Sequence, residues 1–425
     1  MIDKSNTPPR NTEIASGLAV GVIALLILGL QPILLGEAVA QHLLSLEGVG
    51  LVAMGEIVAL GLGVILGDTL LPIVRMRSIT AGAALVIGLL DFSALWLHGD
   101  FAFAASRAFC GLAEGVLVWV ATCNIVRSSR PDRVVGVFLT SQTLAQACVA
   151  AFVALVSIPY LGWKGGFATL GVLALLALLI VPALRGRFEP LVETGSNRPP
   201  INLATVLTLL VVFLEMSAIG ALWPYLDPLG RQFGFSSRFL EMQVPLVLIF
   251  QVLGGTLATF FVSRLNTTKT LFLVAAMQGS AALAMYFSST ISRWGFAGLW
   301  SAFGLLWLFA MPFHVRLAMT ADPRGRVAML VPAAQLLGTA FGPLLSSFFV
   351  TETQPRLVAL ICACFALSAA VLVAMLGPLL RRSGGDAQLA GAQASASDFR
   401  GTLRLSADPP VPRSQFILPK GPNPP

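Results

Sequence analysis

The stretch FAFAASRAFCGLAEGVLVWVATCNIV, Phe101 to Val126, decides the fold class. It runs for 26 residues with only two ionisable side chains, Arg107 and Glu114, in an otherwise apolar background. A helix of this length, rising about 1.5 Å per residue, crosses roughly 30 Å of hydrocarbon. Helix is also the state that satisfies every backbone N–H and C=O within lipid, whereas a barrel strand would be shorter and would alternate.

Eleven more runs of the same kind surround it. Before it lie Ala15 to Gly36, Gly48 to Gly67 and Ile79 to Leu97; after it come Val134 to Ile158 and Gly165 to Leu184. Past a polar stretch follow Leu203 to Leu226, Phe239 to Val262, Thr270 to Phe287, Gly295 to Val315, Val327 to Val350 and Leu357 to Leu379. The whole chain agrees: 56% of residues are hydrophobic, 11% are charged, and the mean hydropathy is +0.84. A water-soluble globule of this size does not carry so much apolar surface. The first fourteen residues are polar and no small-residue cleavage site follows the first run, so that run is expected to remain as a span.

The net charge of +7 reads as topology, not as a nucleic-acid partner, because the basic residues sit at the ends of the runs. With the N-terminus cytoplasmic, twenty-one of the Lys and Arg residues fall inside. Five fall outside (Lys164, Arg231, Arg238, Arg293 and Arg356), and Arg107 alone is within a span. That bias predicts a multi-pass protein of the cytoplasmic (inner) membrane with both termini cytoplasmic.

The expected organisation is an N-terminal segment 1–14, a six-helix bundle 15–184, a cytoplasmic connector 185–202 marked by Pro199 and Pro200, a second bundle 203–380 and a disordered tail 381–425. Arg133, Val134, Gln142 and Leu144 recur as Arg326, Val327, Gln335 and Leu337, each 193 positions later, and Gly111 recurs as Gly304 at the same offset. Together with the six-plus-six hydropathy, the recurrence points to two parallel halves around a midplane cavity.

The segment Arg107, Gly111, Glu114, Gly115 resembles the span-four signature of the major facilitator superfamily, Arg-x-x-x-Gly-x-x-x-Gly. The resemblance in span count and connector covers about residues 15 to 380 and implies an all-α membrane protein of twelve helices in two pseudo-symmetric six-helix bundles. The superfamily's loop between spans two and three carries Gly-x-x-x-Asp. Here Gly63 precedes Asp68 by five positions, so Asp68 is carried over as a gating or helix-cap residue on a departing pattern. Span five lacks the Gly-x-x-x-Gly-Pro pattern of many drug–proton antiporters, whereas span eleven has Gly338, Gly342 and Pro343.

Candidate functional residues are the ionisable groups inside spans, each costly there unless it pairs or faces a wet cavity. They are Glu56, Asp91, Arg107, Glu114 and Glu215. Counting helix rise puts Glu56, Asp91 and Arg107 at similar depth, roughly 9 to 12 Å below the outer surface, and Glu114 and Glu215 near the midplane. Glu56, Arg107, Glu114 and Glu215 are the candidates for substrate or proton binding, with Asp68 and Asp91 as gating or structural charges. Arg107 is read as facing the cavity, as an anion ligand or a partner that tunes a proton-carrying acid, with Glu56 its exchangeable partner; the alternative is a structural pair with Asp91. Pro32 and Pro343 are expected to kink spans one and eleven. His42 and His98 fall at outer ends and His314 at an inner end. Neither the three His nor the five Cys have metal-ligand spacing, so no metal and no cofactor are expected.

The reading is secondary active transport of a small organic solute, coupled to protons, by a chain functional as a monomer in the lipid bilayer. An importer of carboxylates would use Arg107, and a multidrug or metabolite exporter would use the aromatic and acidic lining. The rival class is a non-transporting receptor or an intramembrane enzyme. An enzyme needs a nucleophile with its base or a metal cluster, and the sequence offers neither. No Gly-x-x-x-x-Gly-Lys-Ser/Thr loop suggests ATP as the energy source.

Overall fold

The computed structural model describes residues 10–129, 131–188, 202–322, 327–351 and 354–378. Residues up to Leu376 belong to one compact unit; of the second, from Gly377, only the last two residues of span twelve are described. The described residues form helices joined by turns, with no strand among them, and hold twelve helical segments long and apolar enough to cross a membrane, so the chain is a multi-pass membrane protein. The expected tail 381–425 and most of the connector lie outside the described residues.

The spans run Asn11–Ala40, Leu46–Leu70, Met76–Trp96, Asp100–Val126, Arg133–Leu161 and Lys164–Ala183 in the first half. The second half has Leu203–Gln232, Ser237–Phe261, Thr267–Phe287, Arg293–Ala321, Ala328–Ser347 and Leu357–Pro378. Several pass the ends of the apolar runs. Span one starts earlier, at Asn11, because Glu13 reaches back to accept from the Arg10 amide at 3.0 Å and so supplies part of a capping box. It also continues beyond Gly36 through Glu37, and span seven continues beyond Leu226 to Gln232. The charges on both extensions are paired with each other.

Span one is interrupted at Leu25, not at Pro32, where the expected kink does not break the helix. Pro32 nevertheless leaves a trace. Lacking an N–H, it frees the carbonyl of Leu28, four residues earlier. The indole Nε1 of Trp223, in span seven, donates to that carbonyl at 2.8 Å.

The buried cores are distributed unevenly along the membrane normal. One large core takes the later half of span one (Leu26 to Ala38), the start of span two (Leu46 to Ala53) and the later part of span five (Ala147 to Val153). It continues into the later half of span seven (Met216 to Leu229) and the starts of spans eight, ten and twelve. These are the ends of odd spans and the beginnings of even ones, so this core lies on the side away from the chain ends and joins both halves. On the side of the chain ends the clusters among the described residues stay within one half. Three belong to the first, around Leu117, Ile125 and Trp119. Two belong to the second, around Val331 and Ala369.

Span two packs on span eleven, and span five on span eight. The first of these seams closes where Gly50 meets span eleven: a Cβ on Gly50 would collide with the carbonyl of Pro343. Nearby, Arg231 donates through Nη2 to Glu37 at 2.9 Å and through Nε to Asp227 at 2.6 Å, so span seven is tied to span one by a partly buried ion triad.

At the opposite side, the first residues of the expected connector are not a free link. The Met76 amide donates to Gly186 O at 3.2 Å and the Phe188 amide to Ile73 O at 2.9 Å. Phe188 is buried beside Trp119 and Met76.

Candidate functional site

Two buried polar clusters occupy the middle of the spans. The first is built on span four. Gly111 lets span two come so close that a Cβ there would strike the carbonyl of Glu56, and this approach delivers Glu56 to Arg107 one turn away. Arg107 Nε donates to Glu56 Oε1 at 2.6 Å, and Nη2 forms an ion pair with the same carboxylate. Nη1 donates to Asp91 of span three at 2.5 Å, and Nη2 reaches Glu114 Oε1 at 3.3 Å. Gln31 of span one donates to Glu56 Oε2 at 3.2 Å, and Phe167 of span six lies 6.0 Å from the guanidinium carbon. The Cys110 thiol donates to Glu114 Oε1 at 3.5 Å.

Five spans of the first half thus converge on one cation. Arg107, Glu56, Asp91 and Glu114 are all at most 3% exposed. Arg107 was expected to face the cavity; it is buried inside the first half instead, because three acids take up its donors, with the Gln31 amide donating to Glu56 behind them. Both expected partners, Glu56 and Asp91, are engaged at once, and Glu114 is a third. One oxygen of Glu114, Oε2, has no partner among the described residues.

The second cluster is in the other half. Glu215 of span seven and His314 of span ten are both 0% exposed and meet through Oε2 and Nε2 at 2.9 Å. On the far side of the imidazole, Gln335 Nε2 of span eleven lies 3.3 Å from Nδ1 and 3.1 Å from Met311 Sδ. Glu215 Oε1 is unpartnered among the described residues.

His314 was expected at an inner helix end. It lies inside span ten, because that span continues to Ala321 rather than stopping at Val315. Its role as partner escapes a sequence reading because Glu215 is 99 residues away in the chain. The signal that was available is depth: an acid at the middle of one span and a His within another of the same half.

Asp68 joins neither cluster. It lies exposed in the last turn of span two, where it accepts from Trp119 Nε1 at 3.4 Å. A carboxylate there caps no helix N-terminus. Missed altogether were Glu37, Asp227 and Arg231, which lie just past the ends of the apolar runs or were counted among the loop charges. No group of His, Cys, Asp and Glu among the described residues could hold a metal ion.

No family model matches the sequence, and no curated protein matches it either. Solved structures do match in three dimensions. A mutant of the nucleoside transporter NupG superposes with a TM-score of 0.67 at 12% identity, covering 85% of this chain and 99% of that one. A bacterial homologue of the human lysosomal transporter Spinster, in an inward-facing and occupied conformation, gives 0.62 at 11% identity, covering 87% and 96%. The twelve spans, their pairing and these superpositions together show that the chain has the major facilitator fold.

Proposed function

We propose that the chain is a secondary active transporter that moves a small organic solute by alternating access between two six-span halves, coupled to protons. The observation that carries the reading is the split of the cores. Among the described residues a single core seals both halves together on the side away from the chain ends, while on the opposite side each half has its own. A molecule closed at one face and divided at the other is one of the two states that rocking around a central site requires. The bias of basic residues in the loops supports a cytoplasmic position for the chain ends, and with them the divided face.

Proton coupling rests on the two clusters. One guanidinium faces three carboxyl groups in the first half, an arrangement that is neutral only when two protons sit on it. In the second half the Glu215–His314 pair touches span eleven through Gln335, and span eleven forms a seam with span two. A change of charge on the pair therefore acts on an element that must move when the seam opens.

The test is solute flux in proteoliposomes under an imposed pH gradient. Glu215→Gln is expected to remain folded and to exchange solute across the membrane, yet to lose the dependence of flux on the gradient. Unchanged coupling in that variant across the pH range would remove Glu215 from the mechanism.

A further inference from the structure

We infer that the solute is a neutral, planar organic molecule, held by an aromatic and amide wall that presents no charge. The inference rests on the transport reading. At the floor of the divided face, Trp307 and Met311 of span ten are partly exposed and pack on the joint core. Trp307 meets Trp223 with ring centroids 5.7 Å apart, and Trp223 in turn bonds Leu28 of the opposite half, so Trp307 stands at the seam between halves. Gln335 of span eleven is partly exposed beside Met311, and Thr339, also partly exposed, lies one turn on with its hydroxyl donating to the Gln335 carbonyl at 2.8 Å. The surface a solute meets here is an indole, a thioether, an amide and a hydroxyl.

The ionisable side chains of both clusters are themselves buried and present no charged surface beside this wall. Arg107, the cation an organic anion would need, is 1% exposed and committed to three acids. Arg231 is bound between Glu37 and Asp227 in the far-side triad. Arg316, two residues beyond His314, turns to the Leu265 carbonyl at 3.1 Å. A carboxylate in the centre would thus be desolvated without a counter-ion among the described residues. An ammonium group fares no better, because the acids are as deeply buried as Arg107. A sugar presents a ring of hydroxyl groups, more hydrogen-bonding capacity than this wall can answer. A flat, uncharged ring with one or two polar groups matches both the indole face and the Gln335 amide.

The experiment is counterflow by the full chain in proteoliposomes with four classes of probe: neutral aromatic amides and heterocycles, aromatic carboxylates, aromatic amines, and hexoses. Uptake confined to the first class is expected. For the probe that moves best, Trp307→Ala should raise KM about tenfold with the maximal rate little changed, and Trp307→Phe should recover most of the loss. Uptake of carboxylates, amines or hexoses in preference to the neutral rings would overturn the inference and leave the transport reading standing. Spin labels across the far-side seam separate the remaining case. If no class moves while the labels exchange between a closed and an open distance, the solute assignment alone fails. If nothing moves and the labels report one distance, the transport reading fails with it.

Discussion

Arg107 illustrates how much a single buried cation organises. It holds carboxylates from spans two, three and four, and removing it leaves three acids together without a counter-charge. Arg107→Leu is expected to cost about 3 to 5 kcal/mol, the usual loss when one member of a buried ionic group is deleted, and thermal unfolding in detergent would register it. Adding Asp91→Asn to that variant should recover part of the loss. Adding Glu56→Gln as well should recover more, since each substitution takes one acid out of the uncompensated set. At the same scale, Gln335→Leu removes the amide beside His314 Nδ1 and Met311 and is expected to raise KM for the transported probe, read by counterflow, without unfolding the chain. The common depth of Glu56, Asp91 and Arg107 could be read by counting helix rise, and the shared face of Arg107 and Glu114 by counting residues. What counting could not give was enclosure. Whether a guanidinium faces a cavity or the inside of a bundle depends on how near span two comes, and that is set by the absence of a side chain at Gly111.

Among the elements, spans two and eleven form a close seam between the halves. Gly50 is the contact point, with the Pro343 carbonyl where a side chain would stand. Gly50→Ala is expected to push the two spans apart and favour the state open on the far side. Distances between spin labels on the far-side ends of spans two and eleven would report the change, and an unaltered distribution would show that the seam relaxes around a methyl group. Twelve spans were legible because each carries enough apolar residues to be found without knowing its neighbours. Their ends were less so. The runs stop at the first charge, whereas the helices of spans one and seven continue through Glu37 and Arg231, whose charges neutralise one another across the seam. The same rule hid His314: a run that ends at Val315 puts it at a border, and a helix that ends at Ala321 puts it in a core.

For the whole molecule, the joint core and the ion triad act together as the far-side seal. The triad is the part that substitution can weaken without opening a cavity. Because Arg231 is about one-third exposed, its loss is worth only a modest shift. Arg231→Gln is expected to raise the far-side-open population about fivefold or less, read as faster labelling of a single cysteine placed beneath the triad. The carbonyl that Pro32 sets free has a different consequence. In the state described it is capped by the Trp223 indole, a donor from the other half. Rocking the halves apart withdraws that indole, and no amide of span one can replace it, since the residue in the right place is a proline. The Leu28 oxygen must then be wetted or met by cargo, so each turnover changes the owner of one hydrogen bond. Isotope-edited infrared spectroscopy would see this directly: a carbonyl label at Leu28 should show two amide bands whose ratio follows the occupancy of the two states, and Pro32→Ala should merge them into one.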